Sequence, residues 1–170
     1  MVQEAGVDYI TIHGRLKSTR STIPVNGDAV AYLRQFVTVP LLFNGDIESL
    51  SKAHEVVKVT GVDGVMSARD ILHNPALFAG TNSCTWEAVE LFMNYCIKAP
   101  LPFKLVIHHL NVMTEGGKSG SPGLLQGDHG LRAKVTPLLT KAERYRLVEG
   151  CRDLMDVMDL LDEIRGVRRL

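Results

Sequence analysis

Two arginines, a histidine and an asparagine-glycine-aspartate turn each follow directly on a short apolar run. Tyr9-Ile10-Thr11-Ile12 leads into His13-Gly14-Arg15, Pro40-Leu41-Leu42-Phe43 into Asn44-Gly45-Asp46, and Gly64-Val65-Met66 into Ser67-Ala68-Arg69. A guanidinium at Arg69, beside the free N–H groups of a short helix that Asn74-Pro75 stops, suits a phosphate dianion through forked hydrogen bonds. Asn44 supplies an amide, Gly45 a turn free to take positive φ, and Asp46 a carboxylate that could cap the next helix or grip a ligand hydroxyl. Each cluster also has a plain reading. The turn at Asn44 could be only a strand-to-helix connection, as we read the second copy, Asn26-Gly27-Asp28. His13 could be a packed ring, Arg15 could pair with Asp28 or Asp46, and Arg69 with Asp70.

The elements that would position these groups follow from the pattern around them. Met1 to Val7 reads as the tail of a helix. Asp28 is placed to cap a helix over Ala29 to Val37, with Val30, Leu33, Phe36 and Val37 on one face. Leu50, Ala53, Val56 and Val57 mark a second helix that Gly61 can end. Strands and helices therefore alternate, which in one sheet means parallel strands joined by crossovers. The strands show little alternation, as expected when both faces are covered. In a parallel β/α barrel active groups lie at the carboxyl ends of strands, with phosphate after the last two.

Beyond Pro75 the pattern is helical only. Trp86, Val89, Phe92, Met93 and Cys96 form one stripe and Phe103, Val106, Ile107, Leu110 and Met113 another, parted by Pro100 and Pro102. Gly116 to Gly130 has six glycines in fifteen residues and reads as a linker or insertion. Its Gly117-Lys118-Ser119 is no phosphate loop, because Val112 stands where that motif needs glycine. Thr140 with Glu143 makes a capping box for a helix carrying Leu147, Cys151, Leu154, Met158 and Leu161, a stripe we read as bundle core.

The chain has 170 residues, 45% of them hydrophobic, with 19 basic and 19 acidic side chains. A complete eight-stranded barrel takes roughly 250 residues. Lys98 to Arg146 holds eight basic against three acidic residues, a modest electrostatic footprint for nucleic acid if it is not simply a solvated face. No apolar run reaches the roughly 20 residues of a membrane span, and Met1-Val2-Gln3-Glu4 does not open a signal peptide. The expectation is a soluble, intracellular, cytoplasmic protein, with nucleus and mitochondrion left open. Cys84, Cys96 and Cys151 lack the paired spacing of zinc or redox motifs and read as reduced, buried thiols; no metal is expected.

The wording of the three clusters, with Val39 to Ile47, Thr60 to Arg69 and Asn74-Pro75-Ala76-Leu77-Phe78, resembles the back part of a tRNA-dihydrouridine synthase. Ala68-Arg69 and Phe78-Ala79-Gly80 are most similar to the eukaryotic branch that modifies positions 20a and 20b. The resemblance implies an α/β fold: residues 1–80 as the last three strands of a flavin-binding TIM-type barrel, and 81–170 as an all-helical tRNA-binding domain with an insertion at 116–130. It further implies FMN, NADPH or NADH as reductant, tRNA as partner, and a monomer when complete. Carried over position by position, His13, Asn44, Gly45, Asp46, Ala68 and Arg69 are the expected cofactor contacts.

Two departures stand out. Leu16 replaces a threonine usual in the family, and Asp70 replaces a glycine, bringing a carboxylate near the expected phosphate. The family's catalytic cysteine precedes the His-Gly-Arg strand, and none of the three cysteines here matches it, so the chain reads as the end of a longer protein. Two alternatives remain: a non-catalytic tRNA-binding or interfering product, and another flavin- or phosphate-binding barrel enzyme.

Overall fold

A computed structural model describes residues 2–20, 22–116 and 136–167. Three strands, β1 (Ile10–His13), β2 (Leu41–Asn44) and β3 (Gly64–Met66), form one parallel sheet in the order β1-β2-β3. The crossovers are α1 (Gly27–Arg34) and α2 (Leu50–Thr60). His13, Asn44 and Met66 fall in register at the carboxyl ends, so the three polar clusters share one edge.

Burial decides how the sheet sits. Ile10, Ile12, Leu41, Phe43 and Val65 point to one side and pack with Val25, Val30, Ala53, Val56 and Val62 of the connecting segments. The intervening residues, Thr11, His13, Leu42, Asn44, Gly64 and Met66, point to the other side and are half-buried or exposed. The expectation of two covered faces is thus corrected. Among the described residues α1 and α2 cover one face, and the pleat converts that into alternating burial along each strand.

Local chemistry sets the helix ends. The α1 cap is Asn26, whose side chain accepts from the Ala29 N–H at 2.9 Å, rather than the expected Asp28. The helix stops at Arg34, three residues short of Val37, and the Arg34 guanidinium donates to the carbonyls of Val37 at 2.6 Å and Gly61 at 3.0 Å. Ser49 caps α2, accepting from Lys52 N–H at 3.1 Å, and Gly61 closes it in the left-handed region at φ 70°. At the start of the chain only a single 3-10 turn, Gln3–Ala5, replaces the expected helix tail.

After β3 every described element is helical: α3 (Arg69–His73), a 3-10 turn at Leu77–Ala79, α4 (Trp86–Lys98), α5 (Phe103–Thr114), α6 (Lys141–Tyr145) and α7 (Leu154–Arg165). Cys84, Val89, Met93, Cys96, Val106, Leu110, Leu147, Val157 and Leu161 form a second core. The Thr140–Glu143 capping box is present, but the single helix expected beyond it is two. A π-helical turn at Arg146–Gly150 runs into extended Cys151, and Asp153 caps afresh, accepting from the N–H groups of Met155 and Asp156. Leu147 and Leu161 still reach the bundle core, with Cys151, Leu154 and Met158 against it. The His73 ring contacts the Val112 carbonyl at 3.2 Å, joining α3 to α5. The expected insertion lies, apart from Gly116, outside the described residues. No described helix is long and apolar enough to cross a membrane.

Candidate functional site

The carboxyl edge of the sheet is drawn together by turns that tolerate little change. Gly45 adopts φ 124°, and a Cβ there would lie 2.6 Å from Val25 Cγ1 and 3.0 Å from His13 Cε1. Any side chain at this position must displace the core or the imidazole. Asp46 follows at φ 54°, the one described non-glycine residue with positive φ. A left-handed backbone at an aspartate costs of order 1 kcal/mol and persists where surrounding contacts fix it.

Those contacts are two arginines. The Asp46 side chain is only 5% exposed; Oδ2 accepts from Arg15 and Oδ1 lies 3.5 Å from Arg69 Nη2. Arg15 is nearly as deep, at 7% exposure, and its Nε donates to the Ile23 carbonyl. Of the two pairings open to Arg15, Asp46 is therefore the one formed. Arg69 is different. Its side chain is 61% exposed, and the ion pair it makes is with Asp46 rather than Asp70. Asp46 does not cap α2, the role that falls to Ser49.

His13 accepts the Arg15 backbone N–H on Nδ1 at 3.2 Å. A neutral ring then carries its proton on Nε2 and keeps a donor on that side. Asn44 donates to the Met66 sulfur at 3.5 Å, and Ser67 Oγ donates to the Ile47 carbonyl at 2.8 Å, tying β3's end to the β2 turn. Ala68 stands at the N-cap of α3 and offers no side-chain acceptor to its first turn. Asp70, in that turn, has its carboxyl pushed above the ordinary 3.8, first by burial and then by the charge of Glu48, against the pull of Arg69 and His73.

His13, Arg15 and Arg69 open onto a hollow of about 590 Å³ that Leu16, Lys17 and Thr19 also line. Its size falls within the range of small-molecule sites, roughly 300–1,000 Å³. Asn44, Gly45, Asp46 and Ala68 are not among its lining residues. Leu16 was marked from sequence only as a departure from the family, and Lys17 and Thr19 were not singled out, although a cation two residues past the first cluster was the available signal. The thiols are elsewhere: Cys84 and Cys96 are buried in the helical core and Cys151 packs against it. Burial pushes the Cys84 thiol up to about 11. A second hollow, of about 510 Å³ in the helical part, is rimmed by Glu149, Asp156, Asp159 and Glu163, a setting that disfavours phosphate.

Parallel strands, helical crossovers and a cationic hollow at the strands' carboxyl ends make this an α/β protein whose polar clusters gather at the edge where parallel β/α folds place their active groups. The sequence profile described as Dihydrouridine synthase (Dus) matches residues 1–129. The chain belongs to the dihydrouridine synthase family. It is 38% identical over 169 residues to a Schizosaccharomyces pombe protein named tRNA-dihydrouridine(20a/20b) synthase, NAD(P)+, a match covering 99% of this chain and 45% of that protein. The Saccharomyces cerevisiae protein of the same name is 46% identical over 116 residues, covering 66% of this chain and 32% of its own length. A human protein named tRNA-dihydrouridine(20a/20b) synthase, NAD(P)+-like, is 37% identical over 117 residues, covering 66% of this chain and 35% of its own. The chain thus spans less than half the length of these relatives.

Proposed function

We propose that the chain is the flavin-phosphate and tRNA-holding part of an FMN-dependent tRNA-dihydrouridine synthase, which reduces uridine in tRNA with NADPH or NADH. The observation that carries this reading is Arg69: an exposed guanidinium at the start of a short helix, beside a hollow lined by His13 and Lys17. The residues fit a phosphate ester. Asp46, the carboxylate that would oppose it, is already paired by Arg15.

Arg69 and the first turn of α3 would hold the FMN phosphate, with Ala68 leaving the helix start open. His13 would offer its Nε2 proton to the cofactor, while Asn44, Gly45 and Asp46 shape the floor. When bound, the flavin supplies hydride chemistry; this chain's residues supply binding and orientation. Residues 1–80 then form the last three strands of a TIM-type barrel, and residues 81–170 a helical unit that binds tRNA. Two separate hydrophobic cores support that division. The proton a reduced uracil also needs comes from none of Cys84, Cys96 and Cys151, which lie away from the hollow.

That last observation favours a second reading as well, in which the chain by itself binds tRNA without reducing it. The test of the first reading is titration with FMN, followed by quenching of flavin fluorescence. Arg69→Ala should weaken FMN binding by roughly tenfold or more, since a charged hydrogen bond is worth about 1.5–3 kcal/mol, and leave binding of riboflavin, which lacks the phosphate, unchanged. Unchanged FMN binding, or equal losses for the two flavins, would remove the phosphate assignment.

A further inference from the structure

The Asp46 carboxylate is buried, and its two oxygens are shared unequally. Oδ2 belongs to Arg15, which is itself held by the Ile23 carbonyl; Oδ1 has only the long 3.5 Å contact to Arg69. A buried carboxylate stripped of its counter-charge is strongly destabilising, so it recruits whatever cation is in reach. The main chain that carries Asp46 is held as well. Its own φ of 54° and the tight packing of Gly45 against Val25 and His13 fix the main chain. Arg69 is the second cation already at its side.

We infer that Arg15 is a positioning residue for Arg69: by occupying the buried Asp46 carboxylate it prevents Arg69 from being drawn inward and leaves that guanidinium at the hollow for an anion. Arg15 then touches no ligand phosphate, yet governs its binding. In Arg15→Met the carboxylate has one counter-charge left, and Arg69 closes onto it. In the double variant Arg15→Met/Asp46→Asn the neutral amide no longer captures Arg69, and the guanidinium returns to solvent. The anion half of this inference rests on the proposed function, whereas the exchange between the two arginines does not.

Two readouts on the full 170-residue chain separate these halves. The first needs no flavin: the rate at which p-hydroxyphenylglyoxal modifies Arg69, followed by peptide mass spectrometry. It should fall roughly tenfold in Arg15→Met, the equivalent of one charge-assisted hydrogen bond, and recover in the double variant. The second is the preference for FMN over riboflavin, which lacks the phosphate. It should shrink in Arg15→Met and return in the double variant, a rescue that a merely structural arginine would not give. Arg69 reacting at the parent rate in Arg15→Met overturns the inference. If neither flavin binds the parent chain while the modification pattern holds, the proposed function fails and the positioning role stands. Should Arg15→Met not fold, Asp46→Asn alone decides, because Arg69 must then react at least as fast as in the parent; slower reaction overturns the inference.

Discussion

Asp46 and Asp70 show how one residue type is put to opposite uses within one site. Asp46 is buried with two guanidinium groups, whereas Asp70 is partly buried near Glu48 and has its carboxyl raised. A raised folded-state value means that ionisation is harder in the folded chain than in the unfolded one. Its stabilising contribution is fully present below the ordinary 3.8 and lost as pH rises through the raised value. Asp70→Asn should therefore raise the melting temperature at pH 7, with the gain shrinking towards zero below pH 4, as read by thermal denaturation across that range. The sequence made His13, Arg69 and the Asn44–Asp46 turn visible, because each follows an apolar run. It did not make visible which arginine is buried, since Arg15 and Arg69 follow their strands in the same way and only tertiary packing separates them. Lys17 carried no sequence signal beyond its charge, and the hollow places it on its wall beside Leu16.

The helices repeat that division between local signal and tertiary choice. Thr140 with Glu143, Gly61 after α2 and the Pro100–Pro102 break are local signals, and each acts where its spacing puts it. At α1 two acceptors, Asn26 and Asp28, compete two residues apart; the structure uses the first, which moves the helix start forward by a turn's fraction. Between α6 and α7 an unbroken apolar stripe concealed a break, because a π-helical turn keeps Leu147 on the core side while Asp153 starts a new helix. If Asp153 is a genuine cap, Asp153→Ala should cost about 0.5–2 kcal/mol in urea-induced unfolding. A change below the resolution of such a curve would mean that packing alone sets the α7 boundary.

In the whole molecule the α3 to α5 contact links the sheet end to the helical part, and the sheet keeps one face, with Thr11, His13 and Met66, largely uncovered among the described residues. The α/β class and the parallel order were legible from alternation of strand and helix patterns, and an uncovered inner face is what three strands of a barrel leave by themselves; the alternating burial along each strand was not legible, because it depends on what packs there. The basic excess from Lys98 to Arg146 is also reduced by folding. Arg144 pairs with Glu115, and Arg146 makes a two-pronged contact with Glu163. Arg132 and Lys134 lie outside the described residues, while Lys98, Lys104 and Lys141 are exposed. If these three meet tRNA phosphates, log affinity should fall by roughly 0.7–0.9 per log unit of salt for each contact. Reversing all three to glutamate should flatten that slope in filter-binding assays, and an unchanged slope would make them a solvated face.

On the proposed function, this chain holds the flavin phosphate, while the proton for the uracil comes from none of its three thiols. Positioning supplies several kcal/mol to such a reaction, and an extruded base needs walls to stack on as well as an acid in reach. The direct measurement is dihydrouridine counted by mass spectrometry after the purified 170-residue chain is incubated with unmodified tRNA, FMN and NADPH. No dihydrouridine above a protein-free control is expected. Turnover that Cys84→Ala abolishes would contradict it, because a thiol now placed in the helical core would then have to reach the flavin edge.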